Sequence, residues 1–214
     1  MHYHSVDNSL SKEDEHYIPL YLNNIKPQPL NPKFEDQLQF ISSVQQSVLK
    51  VSMEKTGIPF GKKREPKELY EAQAGLCYDR SRVIEKILRY SGFKTRHIAI
   101  FSKVKTNSTL KSLITPGVSS HAVTEVLTKN GWLVVDSVEP WISIDINNKP
   151  ISIHEINYSV ENDNLLSWRD DPPTPIYLNS FTYIIGLYSR HGNFYPPYNF
   201  IPDIHYGELI QNIM

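Results

Sequence analysis

This sequence has little cysteine, with a single one among its 214 residues. A single thiol cannot form an intrachain disulfide, so the fold must be held together by packing. It also cannot supply the thiolate pair that is common in structural zinc sites. Five of the histidines show no metal-ligand spacing either, namely His2, His4, His16, His154 and His205. We therefore expect neither a metal ion nor an organic cofactor.

Net charge and long apolar runs are also lacking. The chain has 22 basic and 23 acidic side chains, a balance that gives no reason to expect nucleic acid or an acidic membrane surface as a partner. No apolar run approaches the roughly 18 residues of a membrane span, and Met1 to Ser9 lacks the apolar region of a signal peptide. The expectation is a soluble chain, cytoplasmic by default, or secreted or periplasmic if a signal was removed.

The length is that of one well-buried domain. Residues 1–31 are polar and interrupted by three prolines, which predicts an extended N-terminal arm. Asn31 is then placed to cap a helix that begins at Pro32. Residues 32–214 are predicted to form a single domain, with an exposed loop at Ser102–Ser120 and a Tyr- and Pro-rich C-terminal tail.

The cysteine, Cys77, stands at the start of the most strongly marked helix. Its apolar residues recur at helical spacing, at Leu76, Val83, Ile84, Ile87 and Leu88. Gly92 supplies a C-terminal stop. The free N–H groups and partial positive charge of a helix N-terminus favour the thiolate form of a cysteine. Cys77 is therefore a candidate nucleophile, although a small buried apolar side chain is the open alternative.

A histidine and an aspartate lie on two predicted strands farther along the chain. His121 opens the first strand and Asp136 lies near the end of the second. The intervening Asn130-Gly131 is a typical hairpin signal. Because side chains alternate along strands, any connecting loop of even length puts both side chains on one face.

The register of this hairpin decides whether the two side chains meet. A two-residue turn at Asn130-Gly131 would leave Asp136 four residues, or about 13 Å, from the position opposite His121. We therefore predict a four-residue loop or a bulge centred between Thr128 and Lys129. A tight two-residue turn would count against a catalytic pairing.

Four segments together resemble the core of the transglutaminase-like superfamily, over about Leu69 to Asp145. These are Gly75-Leu76-Cys77, Ser91-Gly92-Phe93-Lys94-Thr95-Arg96, His121-Ala122-Val123-Thr124-Glu125-Val126 and Gly131-Trp132-Leu133-Val134-Val135-Asp136. The resemblance implies an α+β, papain-like fold whose active-site helix packs on an antiparallel sheet. It also implies that Cys77 is the nucleophile, His121 the general base and Asp136 the residue that orients the base.

Two departures from the family pattern leave the substrate class open. Many members have an aromatic residue two positions after the histidine, where this chain has Val123. The Tyr78-Asp79-Arg80-Ser81 stretch after the cysteine is also not the usual small or acidic pattern.

The leading hypothesis is a thiol-dependent hydrolase or acyltransferase that cleaves amide bonds, either a cysteine peptidase or amidase or a transglutaminase-type enzyme. Its substrate would be a peptide, a protein or a glycan-linked amide. The alternative is a catalytically idle domain of the same fold that binds a peptide or polysaccharide. A third possibility is a structural domain in which Cys77 belongs to the core.

Six further residues are weaker candidates for substrate contact, each with a plainer interpretation. Gln73 could donate to the oxyanion, or be a surface glutamine. Arg80 could face substrate, or be solvated. Trp132 and Trp141 could shield the His–Asp hydrogen bond, or simply pack in the core. Arg190 and His191 could recognise an anionic or sugar-bearing ligand, or belong to a loop packed on the core.

Overall fold

The computed structural model of this chain describes residues 6–54, 56–59, 62–188 and 203–213. Its helices are α1 (Lys12–Leu22), α2 (Phe34–Val51), α3 (Pro66–Ala72), α4 (Cys77–Tyr90), α5 (Thr109–Ile114), α6 (Ile153–Glu161) and α7 (Tyr206–Leu209). Its strands are β1 (Lys94–Ser102), β2 (Ser120–Thr128), β3 (Gly131–Val135), β4 (Phe181–Ile185), β5 (Leu187–Tyr188) and β6 (Asp203–Ile204). Two 3₁₀ turns span Pro175–Tyr177 and Ile210–Asn212.

Four strands form the central sheet in the order β3-β2-β1-β4, and each neighbouring pair is antiparallel. One face of this sheet packs on α2 and α4, and the other packs on α6 and the 3₁₀ turn Pro175–Tyr177. The expected α+β fold, with the cysteine-bearing helix on an antiparallel sheet, is confirmed. None of the helices within the described ranges is long and apolar enough to cross a membrane.

Helix α4 begins at Cys77, as its apolar pattern predicts. Val83, Ile84 and other members of the stripe are fully buried. The carboxylate of Asp79 accepts a hydrogen bond from the backbone N–H of Leu76 at 3.0 Å, which caps the first turn. Gly75 allows the close approach of the preceding chain, since a Cβ there would lie 2.6 Å from Cδ1 of Leu69.

The N-terminal region differs from the prediction, because residues 12–22 are helical rather than extended. The Ser11 side chain accepts from the backbone N–H of Asp14, while the Asp14 carboxylate accepts from that of Ser11. This capping box and the burial of Ile18 and Tyr21 outweigh the cost of Pro19 inside the helix. Helix α2 also begins later than predicted, at Phe34.

The loop and hairpin predictions need two further corrections. The Ser102–Ser120 segment is not irregular throughout, since it contains α5. The β2–β3 hairpin closes with Thr128 opposite Gly131, so its turn is the two residues between them. The predicted four-residue loop or bulge is therefore wrong, although the loop length is even and the shared face of the two strands is retained.

Candidate active site

Cys77 is the first residue of α4 and is half-buried, so its sulfur stands at the helix mouth rather than inside the core. Behind it, the backbone N–H of Gly75 donates to the carbonyl of Glu54 at 3.1 Å. This tie fixes the loop before the helix to the chain that leaves α2.

His121 and Asp136 meet despite the tight turn. The Nε2 atom of His121 lies 2.7 Å from Oδ2 of Asp136. The register places Asp136 opposite Val123, one strand repeat from His121 and on the same face. Such diagonal neighbours are about 7–8 Å apart at Cα and remain within reach of long side chains. Direct opposition of the two residues is therefore not required, because an imidazole spans the diagonal to the carboxylate.

Tyr177 completes the environment of the carboxylate. Its hydroxyl donates to Oδ2 of Asp136 at 2.6 Å, the same oxygen that contacts His121. The other oxygen, Oδ1, accepts from the backbone N–H groups of Val138 and Glu139 at 2.7 and 2.9 Å. These four partners hold the carboxylate in position and favour its ionised form.

The ionisation of the pair follows from these contacts. Burial acts to lower the pKa of His121, but the charge of Asp136, their hydrogen bond and contact with Cys77 raise it to about 10. Burial acts to raise the pKa of Asp136, but His121 and the Tyr177 and Glu139 donors hold it below its ordinary value. Burial and the Asp136 charge raise the pKa of Tyr177 well above its ordinary value. At neutral pH the site holds an imidazolium, a carboxylate and a neutral phenol.

The contact with Cys77 also defines the orientation of the imidazole. A hydrogen bond in which the sulfur of Cys77 accepts from the ring is among the causes that raise the pKa of His121. Since Nε2 is engaged by Asp136, the ring nitrogen that remains for the sulfur is Nδ1. The sulfur, the imidazole and the carboxylate therefore form a continuous chain of contacts.

Aromatic rings cover the His121–Asp136 pair. Tyr177 is fully buried and stacks on Trp141, with ring centroids 5.0 Å apart. It also meets the His121 ring edge-on at 6.0 Å. Trp141 is 5% exposed and its indole N–H donates to the carbonyl of Asp170 at 2.9 Å. Trp141 therefore packs in the core against the ring that contacts His121, and its shielding of the His–Asp hydrogen bond stays a prediction.

Gln45 supports the turn that carries Asp136 from the opposite side. Its Nε2 amide lies within 3.0 Å of the backbone carbonyls of Asp136, Glu139 and Trp141. The residue is 1% exposed and belongs to α2. Neither Gln45 nor Tyr177 was singled out from the sequence, since each lies far from Asp136 along the chain and carries no local motif.

Other sequence candidates lie elsewhere. Arg80 is buried, and its guanidinium donates to the Ser52 hydroxyl and carbonyl at 3.0 and 2.5 Å, so it is not solvated, and its contact with a substrate stays a prediction. The ring of Trp132 lies 4.1 Å beneath the guanidinium of Arg96, near the hairpin turn and not beside Asp136. Gln73 is an exposed residue that ends α3.

Arg190 and His191 fall outside the described residues, as does most of the Tyr- and Pro-rich tail. Within the described residues, no group of three His, Cys, Asp or Glu side chains is arranged to hold a metal ion.

Comparison with known proteins gives one match. A family model described as the transglutaminase-like superfamily matches residues 29–137, just over half of the chain. The matched region contains α2, α4 and the β2–β3 hairpin. It includes Cys77, His121 and Asp136, whereas Tyr177 lies beyond it. Searches of curated proteins and of solved structures found no significant match. The sequence segments, the fold and the family model agree, and the chain belongs to the transglutaminase-like superfamily.

Proposed function

We propose that this protein is a thiol-dependent hydrolase or acyltransferase that acts on amide bonds, with Cys77 as nucleophile, His121 as general acid and base, and Asp136 as the group that orients the imidazole. The observation that carries the proposal is the 2.7 Å contact of His121 with Asp136 on a ring that also contacts Cys77. These are the three parts that thiol-based acyl transfer needs.

The reaction begins with the Cys77 thiolate paired with the His121 imidazolium. The sulfur attacks the amide carbonyl, and backbone N–H groups at the mouth of α4 stabilise the oxyanion. His121 gives its proton to the leaving amine, and the acyl group stays on sulfur as a thioester. Neutral His121 then takes a proton from water or from an acceptor amine, which attacks the thioester and restores the thiolate and imidazolium.

Tyr177 and Gln45 act as positioning residues in this scheme. Tyr177 donates to the Asp136 carboxylate and covers the imidazole edge, while Gln45 holds the backbone of the same turn. Both restrict the motion of Asp136 without reaching the sulfur. Restraint of this kind maintains the geometry that an oriented general base requires.

Alkylation kinetics test the nucleophile. We expect iodoacetamide to label Cys77 rapidly at pH 6, where an ordinary thiol is under about 1% ionised. His121→Ala should remove the rapid reaction. His154→Ala is the matched control, because His154 is an exposed histidine on α6, and it should label at the parental rate.

Turnover tests the reaction itself. Release of ammonia from a glutamine-rich polypeptide reports hydrolysis, and incorporation of a fluorescent primary amine reports transfer. Either activity, lost in Cys77→Ala, supports the proposal. A thiol that reacts only after unfolding contradicts it, and rapid labelling without amide turnover would instead favour a binding domain.

A further inference from the structure

A small cleft lies where β1 ends and β2 begins, at the end of the sheet opposite the hairpin turn. It has a volume of about 310 Å³ and includes Val104, Val118, Pro175 and Ile176 in its walls. We call it the Val104 cleft. The volume lies at the lower end of the range for ligand pockets, which suits one side chain rather than a whole ligand.

Two independent connections place the Val104 cleft near the imidazole. Ser119, on one wall, precedes His121 by two residues and continues the sheet, since its carbonyl accepts from the backbone N–H of Ser102 at 2.9 Å. Two residues of extended chain span about 7 Å and alternate back to the same face. On the other wall, Ile176 adjoins Tyr177, whose ring contacts His121. Both walls therefore reach the imidazole within one or two residues.

Local hydrogen bonds engage three of the polar side chains that line the Val104 cleft. The Ser102 hydroxyl accepts from the backbone N–H of Val104 at 3.3 Å. The Asn179 amide donates to the Pro175 carbonyl at 2.7 Å. The Thr174 hydroxyl accepts from the backbone N–H of Ile176 at 3.5 Å. These three polar side chains have local partners, and apolar side chains supply most of the surface that the cleft offers to a ligand.

The apolar wall is open to solvent. Val104 is 63% exposed, so an occupant that covers it removes apolar surface from water, which is favourable. Lys105 also lines the cleft and is exposed. Its ammonium disfavours a cationic occupant. Size and polarity therefore favour an aliphatic group, and the Lys105 charge excludes a cationic one.

We propose that the Val104 cleft is a specificity subsite of this protein, which receives an uncharged aliphatic side chain of a polypeptide substrate next to the reacting amide. The proposal rests on the proposed function, since the cleft selects among groups delivered to Cys77. It goes beyond that function by naming what the neighbouring residue of the substrate must be. It also assigns the selection to the 103–118 segment and the Thr174–Asn179 turn rather than to the catalytic residues.

Substituted alkylating agents test the subsite without a known substrate. N-butyl iodoacetamide should label Cys77 about tenfold faster than iodoacetamide at low reagent concentration, the gain expected from burying roughly two methylene groups. An N-(3-carboxypropyl) arm should give a smaller gain, and an N-(3-aminopropyl) arm none. All four rates are normalised to the reaction of each reagent with free cysteine.

Two matched variants locate the effect. Val104→Asp should abolish the advantage of the butyl arm over iodoacetamide. Leu110→Asp is the control, because Leu110 is a 67% exposed apolar residue of the same segment that does not line the cleft, and it should keep the advantage. Equal normalised rates for all arms, or equal behaviour of the two variants, overturns the subsite. A slow reaction with iodoacetamide itself would instead count against the nucleophile.

A second measurement does not depend on sulfur chemistry. In Cys77→Ala, millimolar N-butylacetamide should shift the NMR signals of the Val104, Val118 and Ile176 methyl groups and leave those of Leu110 unmoved. N-(3-aminopropyl)acetamide should shift none of them. The absence of methyl shifts with the butyl compound overturns the proposal, whether or not the thiol is reactive.

Discussion

Two histidines on neighbouring strands of one sheet titrate in opposite directions. His97 on β1 is fully buried, stacks on Tyr188 at 4.2 Å and has its pKa lowered to about 4, chiefly by burial. His121 on β2 is also buried by its surroundings, yet its pKa is raised to about 10 by Asp136 despite that burial. At neutral pH one ring is uncharged and the other is a cation.

The difference lies in what each ring meets. Nδ1 of His97 contacts the Ser81 hydroxyl at 3.1 Å, and its Nε2 has no hydrogen-bond partner among the described residues. His121 meets a carboxylate and a thiol. Burial disfavours charge on both rings, and only an opposite charge in direct contact reverses that effect. Burial of a histidine alone therefore does not identify a reactive site, whereas burial against an oriented carboxylate supports one.

Asp136→Asn should give the largest effect, because it removes the charge that distinguishes the two histidines. The pKa of His121 should fall well below 10, since burial is then opposed only by the contact with Cys77. On the proposed mechanism, the labelling rate of Cys77 at pH 6 should fall by about a hundredfold, because the imidazolium that pairs with the thiolate is lost. Loss of one partner of a buried ion pair should also cost about 3–5 kcal/mol of unfolding free energy.

The Asp136→Asn prediction is checked by NMR titration of the imidazole, alkylation kinetics and urea denaturation. An imidazole that stays protonated above pH 8 in the variant would show that Asp136 does not hold the charge.

Stability should depend on pH with opposite signs for the two rings. The folded pKa of His121 is raised, so its contribution is complete below about pH 6.5 and is lost as pH rises toward 10. The folded pKa of His97 is lowered, so its contribution is present above about pH 6.5 and is lost as pH falls toward 4. Linkage gives a His97 loss of about 2 kcal/mol at pH 5.

Denaturant unfolding of the parent and of His97→Leu at pH 5 and pH 8 measures this loss. The unfolding free energy of the parent minus that of His97→Leu should be lower at pH 5 than at pH 8 by about 2 kcal/mol. A difference that is independent of pH would mean that His97 titrates normally in the folded state.

Tyr177→Phe should have an intermediate effect on the His121 side. It removes one hydrogen bond to a charged carboxylate and retains the stacking on Trp141, so unfolding free energy should fall by about 1.5–2 kcal/mol. The pKa of Asp136 should rise, because a donor that lowers it is gone. Urea denaturation and the acid limb of the alkylation profile check both effects.

Tyr183→Phe is the control for Tyr177→Phe, since the Tyr183 hydroxyl contacts the exposed His154 ring at 3.2 Å and not the Asp136 carboxylate. It should change neither quantity. An unmoved acid limb in Tyr177→Phe would reduce Tyr177 to a packing residue.

The smallest effect is expected at the active site when His97 itself is replaced. At neutral pH, His97→Leu loses one hydrogen bond and the stacking on Tyr188 but also removes an unsatisfied buried acceptor, so the cost in stability should be about 1 kcal/mol. The labelling rate of Cys77 at pH 6 should be unchanged within twofold. A large drop in that rate would show that the two rings are coupled across the sheet.

Local patterns predicted the parts of the fold that are encoded locally. The stripe from Leu76 to Leu88 and the stop at Gly92 were sufficient to place α4. Three prolines predict an extended N-terminal arm, but the Ser11–Asp14 capping box stabilises a helix there. The hairpin was recognised but its register was not, since the turn lies one residue earlier than the Asn130-Gly131 signal suggests.

The candidate site divides in the same way. The residue types and order of Cys77, His121 and Asp136 are visible in the sequence, and parity predicts a shared face for the latter two. The partners of the carboxylate are not visible, because Gln45 and Tyr177 lie 91 and 41 residues from Asp136. Contacts of that separation depend on tertiary packing, which no local periodicity records.

Helix α2 lies against the segments that carry Cys77 and Asp136. Near the centre of this helix, the Gln45 amide donates to the backbone carbonyl of Asp136. Just past its end, Ser52 binds Arg80 of α4, and Glu54 pairs with the backbone beside Gly75. This 18-residue helix and the residues just past its end thus position both the nucleophile and the carboxylate. A change in the tilt of α2 would alter the spacing between Cys77 and Asp136 although neither residue belongs to it.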